Sequence, residues 1–462
     1  MKKNLNMRDW IDTLEKSGEL ITLNKPVDPN TEMGALLYKS RDKSLYFKEV
    51  TGFPGWRALG QAPANVRHAA LAFDTTPENV VREFASRIKN LRKPKLVDSG
   101  PVQEVIFERE DVDMTKLPAH IAGTRDGGRF ITSGLVIVKD PDTGIQNMSF
   151  HRMQIKGPQK LGILMVPRHL YLIYQKNEAR NQPTPISVII GHHPMYYFAA
   201  AYTGPADLDE LQMAGALLQE NVEVIRCKNG LLAPAHAEIC YEGEILPHER
   251  EEEGPFSEFQ DYYVAGTGTN PVIRVDRLTM RKDAIYKEIQ NGSEVEGCVY
   301  HKVPMSAAIY ERLKTVGGYT DLVNVMVLPG IFGVVAQLKQ RFKGEAKNVL
   351  LSALSSQYLH QKIAIAIDED VDIFNPAEIL WAISTRVNPQ NDIFVVEDTR
   401  IHPMDPTGIE LVKPGSPLGW SRIGSKMGID ATKPPLSDPV GRDLFERIQP
   451  INLGKVKLED YL

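Results

Sequence analysis

The chain has 462 residues, which at roughly 150 residues per domain predicts three domains, or two large ones around separate cores. Its 54 Lys and Arg against 59 Asp and Glu give a formal charge of −5, and 42% apolar with 24% charged residues is an ordinary globular mix, which excludes a disordered chain and a nucleic-acid polycation. Three scattered cysteines, Cys227, Cys240 and Cys298, exclude a disulfide scaffold and offer no CxxC zinc site, so a reducing cytosol is expected.

The N-terminus is charged throughout and lacks the apolar stretch of a secretory signal. Residues 8–18 place Trp10, Ile11 and Leu14 at helical spacing, and residues 76–90 repeat the pattern with Pro77 in the first turn. From about 102 to 300 the texture changes to seven short strand candidates: VQEVIF, FITSGLVIVKD, NMSFHRMQIKG, PISVIIG, VEVIRC, AEICYEGEIL and PVIRVDRLTMR. Strands at this spacing predict a barrel or sandwich, interrupted by one helix, Asp207 to Glu220.

After residue 300 helices (SAAIYERLKTVGG, KNVLLSALSSQYLHQ, PAEILWAISTRV) alternate with strands (NVMVL, FGVVAQL, KIAIAIDED, NDIFVVED), which predicts α/β layering with a largely parallel sheet. The most apolar stretch, Val325 to Ala336, is broken by Pro329 and Gly330 and falls well short of the ~20 residues of a membrane span, so a soluble protein is expected. The last ~60 residues, rich in Pro, Gly and Asp, read as an ordered tail wrapping the body and ending in a short helix.

Two motif-like segments fail. GTGTNP at 266–271 has Pro271 where a dinucleotide fingerprint needs its third glycine, and DEDVD at 368–372 lacks the glycine and glutamate of a calcium loop. The segment from His248 to Tyr263 is different: Gly254, Pro255 and Phe256 set Glu253 and Glu258 on a fixed turn. Two carboxylates in different surroundings suit acid/base work, because one can stay protonated while the other is ionised.

EGPFSE, read with NMSFHRMQ (147–154), RHL (168–170), LDELQMAGAL (208–217), PAHAEICYEGEI and IDEDVDIFNPAEILWAISTR, resembles the UbiD-like family of reversible, non-oxidative decarboxylases that use prenylated flavin mononucleotide (prenylated FMN). The similarity runs from MRDWIDTLEKSGEL to GSKMGIDATKP, nearly the whole chain. Ser257 replaces the common Gly of this signature, and Arg168 stands where some relatives have Gln.

The resemblance implies a mixed α/β and β (α+β) architecture. Residues 1–100 would form an α-rich N-terminal α/β region, 101–300 a split β-barrel holding the flavin, 301–400 a C-terminal α/β domain that mediates dimerisation, and 401–462 a tail and helix. It also implies that Asn147, His169 and Glu210 bind a divalent ion, Mn2+, bridging to the flavin phosphate. Arg168, Tyr202 and Lys426 would join the cofactor site, and carbonyls of Ala199 to Tyr202 would hold K+.

Arg152, Glu253 and Glu258 would be the catalytic network, with Arg152 holding the substrate carboxylate or orienting Glu253, and Glu258 delivering the proton that replaces CO2. His301, Lys339 and Arg341 would contact a polar substituent of the substrate, while His192 and His193 turn the chain and His236 is core or wall. The implied reaction is decarboxylation of an aromatic, heteroaromatic or α,β-unsaturated acid through a covalent flavin adduct. A flavin prenyltransferase would supply the cofactor, and the assembly would be a homodimer or dimer-based hexamer in the cytoplasm. An FMN-dependent reductase on the same barrel, or a non-catalytic assembly factor, are the alternatives.

Overall fold

The computed structural model describes residues 4–316, 321–413 and 419–461. The first helix, Met7–Lys16, begins at a capping box in which the Asn6 side chain and Asp9 satisfy each other's backbone N–H groups. It buries Met7, Trp10 and Leu14 against a four-stranded sheet ordered Leu20–Leu23, Ser44–Phe47, Arg57–Gly60, Ile285–Lys287. The last strand of that N-terminal sheet comes from the end of the central region, so the two parts are interlocked.

The central sheet is antiparallel throughout and runs in the order Phe130–Ile131, Met153–Gly157, Lys160–Ile163, Gly268–Met280, Ile239–Glu253, Thr184–Ile190, Leu135–Lys139, Gln146–Phe150, with Val105–Glu108 also paired to Gly268–Met280. Its second strand and its last are consecutive in the chain. Only His151 and Arg152 connect Phe150 to Met153, and at 3.8 Å per Cα step that link spans at most ~11 Å. The sheet must therefore curl until its two ends meet, without hydrogen-bonding shut: a split barrel, with Arg152 in the seam. Val136, Val138, Met153, Leu161, Ile163, Val188, Tyr241 and Ile273 fill it.

Several elements differ from the sequence reading. Both FITSGLVIVKD and NMSFHRMQIKG break into two strands, and VEVIRC leaves the barrel for a small sheet with Lys95–Leu96 and Leu232–Pro234. Two helices besides Glu210–Leu218 interrupt the strands: His169–Glu178 and Pro194–Ala201. Every residue of Pro194–Ala201 is buried, so it shows no polar face from which a helical period could be read.

The C-terminal sheet is ordered Leu322–Val327, Gly333–Leu338, Ile363–Ile367, Ser421–Ala431, Ile393–Ile401, with Ile409–Val412 added on Ser421–Ala431. Only its two middle ladders are parallel; the rest are antiparallel, so the sheet is mixed where a largely parallel one was expected. The tail does not merely wrap the body, because Ser421–Ala431 lies inside this sheet. The helix expected from Ser306 starts ten residues earlier, at Glu296, and continues through Pro304 to Leu313; the expected end, Gly317 and Gly318, lies outside the described residues. This helix packs on Pro194–Ala201 and on the C-terminal sheet, so it forms the joint between barrel and C-terminal domain. No helix of the described residues is long and apolar enough to cross a membrane.

Candidate active site

A cavity of about 380 Å³ opens at this joint, lined from the barrel by Asn147, Ser149, Arg152, Arg168, His169, Tyr202, Glu210, Phe256 and Glu258, and from the C-terminal side by Tyr300, His301, His360, His402 and Met404. Of the residues singled out in the sequence, Asn147, Arg152, Arg168, His169, Tyr202, Glu210, Glu258 and His301 line it, and Glu253 sits directly behind Arg152. Three others lie farther from it. Lys339 pairs with Glu369 at 3.3 Å and Arg341 with Glu345 at 2.7 Å, both away from the cavity. Lys426 is buried with its ammonium donating to Leu354 O at 2.5 Å.

Arg152 organises one end. Its Nε and Nη2 donate to the two oxygens of Glu253 at 3.0 Å each, a two-pronged ion pair, and its Nη1 donates to Glu258 Oε1. Phe256 stacks beneath the guanidinium, 4.9 Å from its carbon. With both prongs on Glu253, Arg152 has the geometry of an orienting group.

Glu253 is buried at the last position of its strand and also accepts from Asn270 Nδ2 at 2.9 Å. Burial pushes the Glu258 carboxyl up to about 7; Arg152 opposes this, but the charge of Glu253 and, more weakly, Asp126 reinforce it. The contact with Arg152 alone would predict a lowered pKa, yet the buried setting wins. Glu258 is thus poised to hold or release a proton near neutrality.

The segment carrying Glu258 is tied at both ends. Gly254 N donates to Gln154 Oε1 at 3.0 Å, and Ser257 N donates to Asp126 Oδ1 at 2.7 Å, with Ser257 Oγ donating to Asp126 Oδ2 at 3.3 Å. Between them the Gly254-Pro255 peptide is cis. Gly254 has φ +96°, and a Cβ there would meet Gly266 O at 2.4 Å, so glycine is required. Neither Asp126, Gln154 nor Asn270 was singled out in the sequence. Gln154 was within reach, because it closes the segment NMSFHRMQ that carries Arg152.

At the other end Glu210, the first residue of its helix, is buried with its Oε1 on Asn147 Nδ2 at 3.0 Å and its Oε2 on Met148 N at 2.8 Å. Asp209 caps the helix through Leu211 N. Burial raises the Glu210 pKa to about 8, with Asp209 adding repulsion, so no cation compensates this carboxylate among the described residues. Arg168 is its counterpart: a half-buried guanidinium whose pKa burial lowers, hydrogen-bonded at 2.6 Å to Thr203 Oγ1 and paired with no carboxylate among the described residues. His169 adds a half-buried imidazole held below its usual pKa by burial and by Arg168. An unmatched carboxylate, amide and imidazole beside an unmatched guanidinium suit a hard cation next to an anionic group such as phosphate.

The C-terminal wall contains a feature the sequence did not reveal. His360 and His402 stack face to face, centroids 3.8 Å apart at 22°, with Phe259 5.9 and 6.0 Å from them. Of the histidines read as bland, His193 caps Pro194–Ala201, and His192 packs against Tyr196 with ring centroids 3.8 Å apart and planes tilted by 40°. His236, expected in the core or wall, instead pairs with Glu223 at 3.0 Å.

Residues 95–294 match the family description "3-octaprenyl-4-hydroxybenzoate carboxy-lyase Rift-related domain", with residues 11–88 and 298–431 matching its N-terminal and C-terminal domains. A phenolic acid decarboxylase of Bacillus subtilis (strain 168) is 32% identical over 93% of this chain and 92% of its own length. The UbiD-class enzyme HmfF from Pelotomaculum thermopropionicum, solved in complex with FMN, superimposes with a TM-score of 0.89 at 34% identity, covering 99% of this chain and 100% of that one. Its evolved dimeric form in complex with prFMN gives 0.86 at 32%, covering 99% and 100%. With the Glu-Arg-Glu network, the split barrel and full-length similarity in agreement, the chain belongs to the UbiD family of carboxy-lyases.

Proposed function

We propose that this carboxy-lyase carries out reversible, non-oxidative decarboxylation of an aromatic, heteroaromatic or α,β-unsaturated acid, with prenylated FMN in the cavity and Glu258 as the proton donor. The observation that carries the reading is Glu258 itself: a carboxyl facing the cavity with its pKa pushed up to about 7, fixed by Arg152 and backed by Glu253. Asn147, His169 and Glu210 would hold a divalent ion such as Mn2+, and Arg168 the cofactor phosphate. Backbone carbonyls of Ala199 to Tyr202 would hold K+. Lys426 would reach the phosphate only by leaving the Leu354 carbonyl. When bound, the prenylated flavin supplies an electrophilic carbon that takes up the electron pair left by CO2.

The residues of the chain do the rest. Arg152 keeps Glu253 in place through its two-pronged contact. Glu258 gives its proton to the carbon from which CO2 has departed and is recharged from solvent; in the carboxylation direction the same group takes the proton back. Phe256 and Phe259 line the cavity beside Glu258, which is itself buried. The finer assembly follows the same reading: a flavin prenyltransferase supplies the cofactor, and residues 301–400 pair two copies into a dimer or a dimer-based hexamer.

Glu258→Gln tests the assignment. After co-expression with a flavin prenyltransferase, the variant should retain flavin absorbance yet lose CO2 release and product H/D exchange by about 10²- to 10⁴-fold, the usual contribution of a general acid. Decarboxylation at the wild-type rate would remove Glu258 from the reaction.

A further inference from the structure

The segment that carries Glu258 rests on a loop, residues 117–129, which forms no helix or strand. Arg129 closes the neck of this loop by donating to Thr115 O at 2.9 Å and Leu117 O at 3.0 Å. The loop supplies two of the ties on the segment: Asp126 accepts from Ser257, and Gly127 N donates to Pro255 O at 2.8 Å. Backbone without a helix or strand ladder holds one position only where side chains pin it, because ordering each residue costs conformational entropy.

His120 is that pin. It is 1% exposed, and the fully buried Glu288 accepts from it twice: His120 N donates to Oε1 and His120 Nδ1 to Oε2, each at 2.8 Å. Thr132 Oγ1, which accepts from Ile289 N, donates to the same carboxylate at 3.3 Å. On the other side of the ring Gln290 Nε2 donates to Asn291 O at 3.1 Å and Ala122 O at 3.4 Å, so the amide oxygen faces His120 Nε2, at 2.9 Å. That oxygen can only accept, so Nε2 carries a proton as Nδ1 does, and His120 is an imidazolium. Burial opposes the charge, but Glu288 and Gln290 outweigh it and hold the ring above its usual pKa. The other charges about it are Asp126, in its own loop, and Lys287, which donates to Glu288 O and pairs with Glu296.

Resting on the decarboxylase reading above, we propose that His120 is a positioning residue for Glu258: the buried imidazolium fastens residues 120–127 to residues 288–291, and these two stretches together clasp the segment that carries the proton donor. One side of the clasp is direct, because Asn291, next to Gln290, donates from Nδ2 to Ser257 O at 3.4 Å. The other runs through Gly123 N, which donates to Asp126 Oδ2 at 3.0 Å and aims the carboxylate that takes Ser257 N at 2.7 Å. Both sides close on Ser257, the residue before Glu258. Burial pushes the Asp126 carboxyl up, and the charge of His120 counteracts it, which favours the ionised acceptor that Ser257 needs.

The charge is read without turnover. Solid-state NMR of cofactor-loaded enzyme labelled with [13C,15N]histidine, at about pH 8 and so above the ~6.5 of an ordinary imidazole, should show a ring protonated on both nitrogens that disappears in His120→Gln and in Glu288→Gln. The role is read by kinetics on the best of 4-hydroxybenzoate, 2-furoate and cinnamate. Each of the two variants should lower kcat by at least ~10-fold, the effect of losing a hydrogen bond to a charged group, with KM and flavin content unchanged. The solvent deuterium isotope effect on kcat should rise, because proton delivery by a displaced Glu258 becomes slower. His120→Gln with Asp126→Ala should be little worse than either alone, since both open one clasp.

A loss that falls on KM or flavin content with the isotope effect unchanged would show that His120 only packs the loop, and would overturn its role toward Glu258 while decarboxylation stands. A His120 ring with a single proton would overturn the proposal as well. Loaded wild-type enzyme that releases CO2 from none of these acids and exchanges no product proton would overturn the decarboxylase reading and this role with it, and the NMR spectrum tells that failure from a neutral His120. If His120→Gln fails to fold, Glu288→Gln and the wild-type spectrum decide alone.

Discussion

Replacing Arg152 by lysine keeps the charge and removes the fork. Arg152 spends three N–H groups on two carboxylates: Nε and Nη2 on Glu253 at 3.0 Å each, and Nη1 on Glu258. A lysine ammonium is a single point on a flexible stem and cannot reproduce the planar pair, so at least one charge-assisted bond to Glu253 is lost. Such a bond contributes about 1.5–3 kcal/mol, and at about 1.4 kcal/mol per tenfold this corresponds to a fall in kcat/KM of roughly 10- to 150-fold. Glu253→Gln removes the other side of the same contact, with Asn270 still placed at 2.9 Å, and should cost a similar amount. Because both changes break one hydrogen-bonded unit, Arg152→Lys with Glu253→Gln should be little worse than either alone. The assay is kcat/KM for the best acid found in all four proteins, with near-UV circular dichroism to confirm the fold. A double variant whose loss equals the product of the single losses would show that the two residues act independently and would refute the network.

Three further outcomes follow from the same geometry. Activity should fall as pH rises through about 7, where Glu258 loses the proton it must donate; Asp126→Asn, which keeps an acceptor for Ser257 N but removes a neighbouring negative charge, should move that fall to lower pH, and an unmoved limb would remove Asp126 from the electrostatics of the site. Mn2+ binding to flavin-free protein should release a proton from Glu210 and tighten as pH approaches about 8; titration calorimetry in buffers of different ionisation enthalpy reads this directly, and binding without proton release would exclude Glu210 as a ligand. In the metal-free protein the raised Glu210 pKa means that the native state holds a proton the unfolded chain has lost between about 4.5 and 8. Its contribution to stability is therefore present at low pH and lost as pH rises through that window, so Tm should drop from pH 5 to 8 and Mn2+ should restore it; a Tm that does not fall would contradict the burial of an uncompensated carboxylate.

What the sequence made legible tracks how local the signal is. Glu253 and Glu258 share a six-residue turn, and Arg152 sits in the short segment NMSFHRMQ, in the link between its two strands. The stacked pair could not be read, because His360 follows a helix and His402 follows a strand some forty residues later, and only the C-terminal sheet brings them together. Ser421–Ala431 escaped for another reason: SRIGSKMGIDA has little apolar alternation, and it is held as a strand by partners on both sides rather than by its own propensity. Lys339 and Arg341 were placed near the substrate by the family resemblance, but both follow the end of Gly333–Leu338 and pair with Glu369 and Glu345 instead.

The two-residue link across the barrel seam sets a limit on how this enzyme can vary. Gln146–Phe150 and Met153–Gly157 belong to opposite ends of the sheet order, and strand alternation on each side fixes which way Arg152 points. Adding or deleting one residue between Phe150 and Met153 would either slide one strand by a position, turning its buried side chains outward, or swing the guanidinium off Glu253. The spacing from Asn147 to Arg152 is thereby set by closure of the sheet as well as by chemistry, and changes in length are confined to exposed turns such as Asp140–Gly144, where the chain is free of both demands.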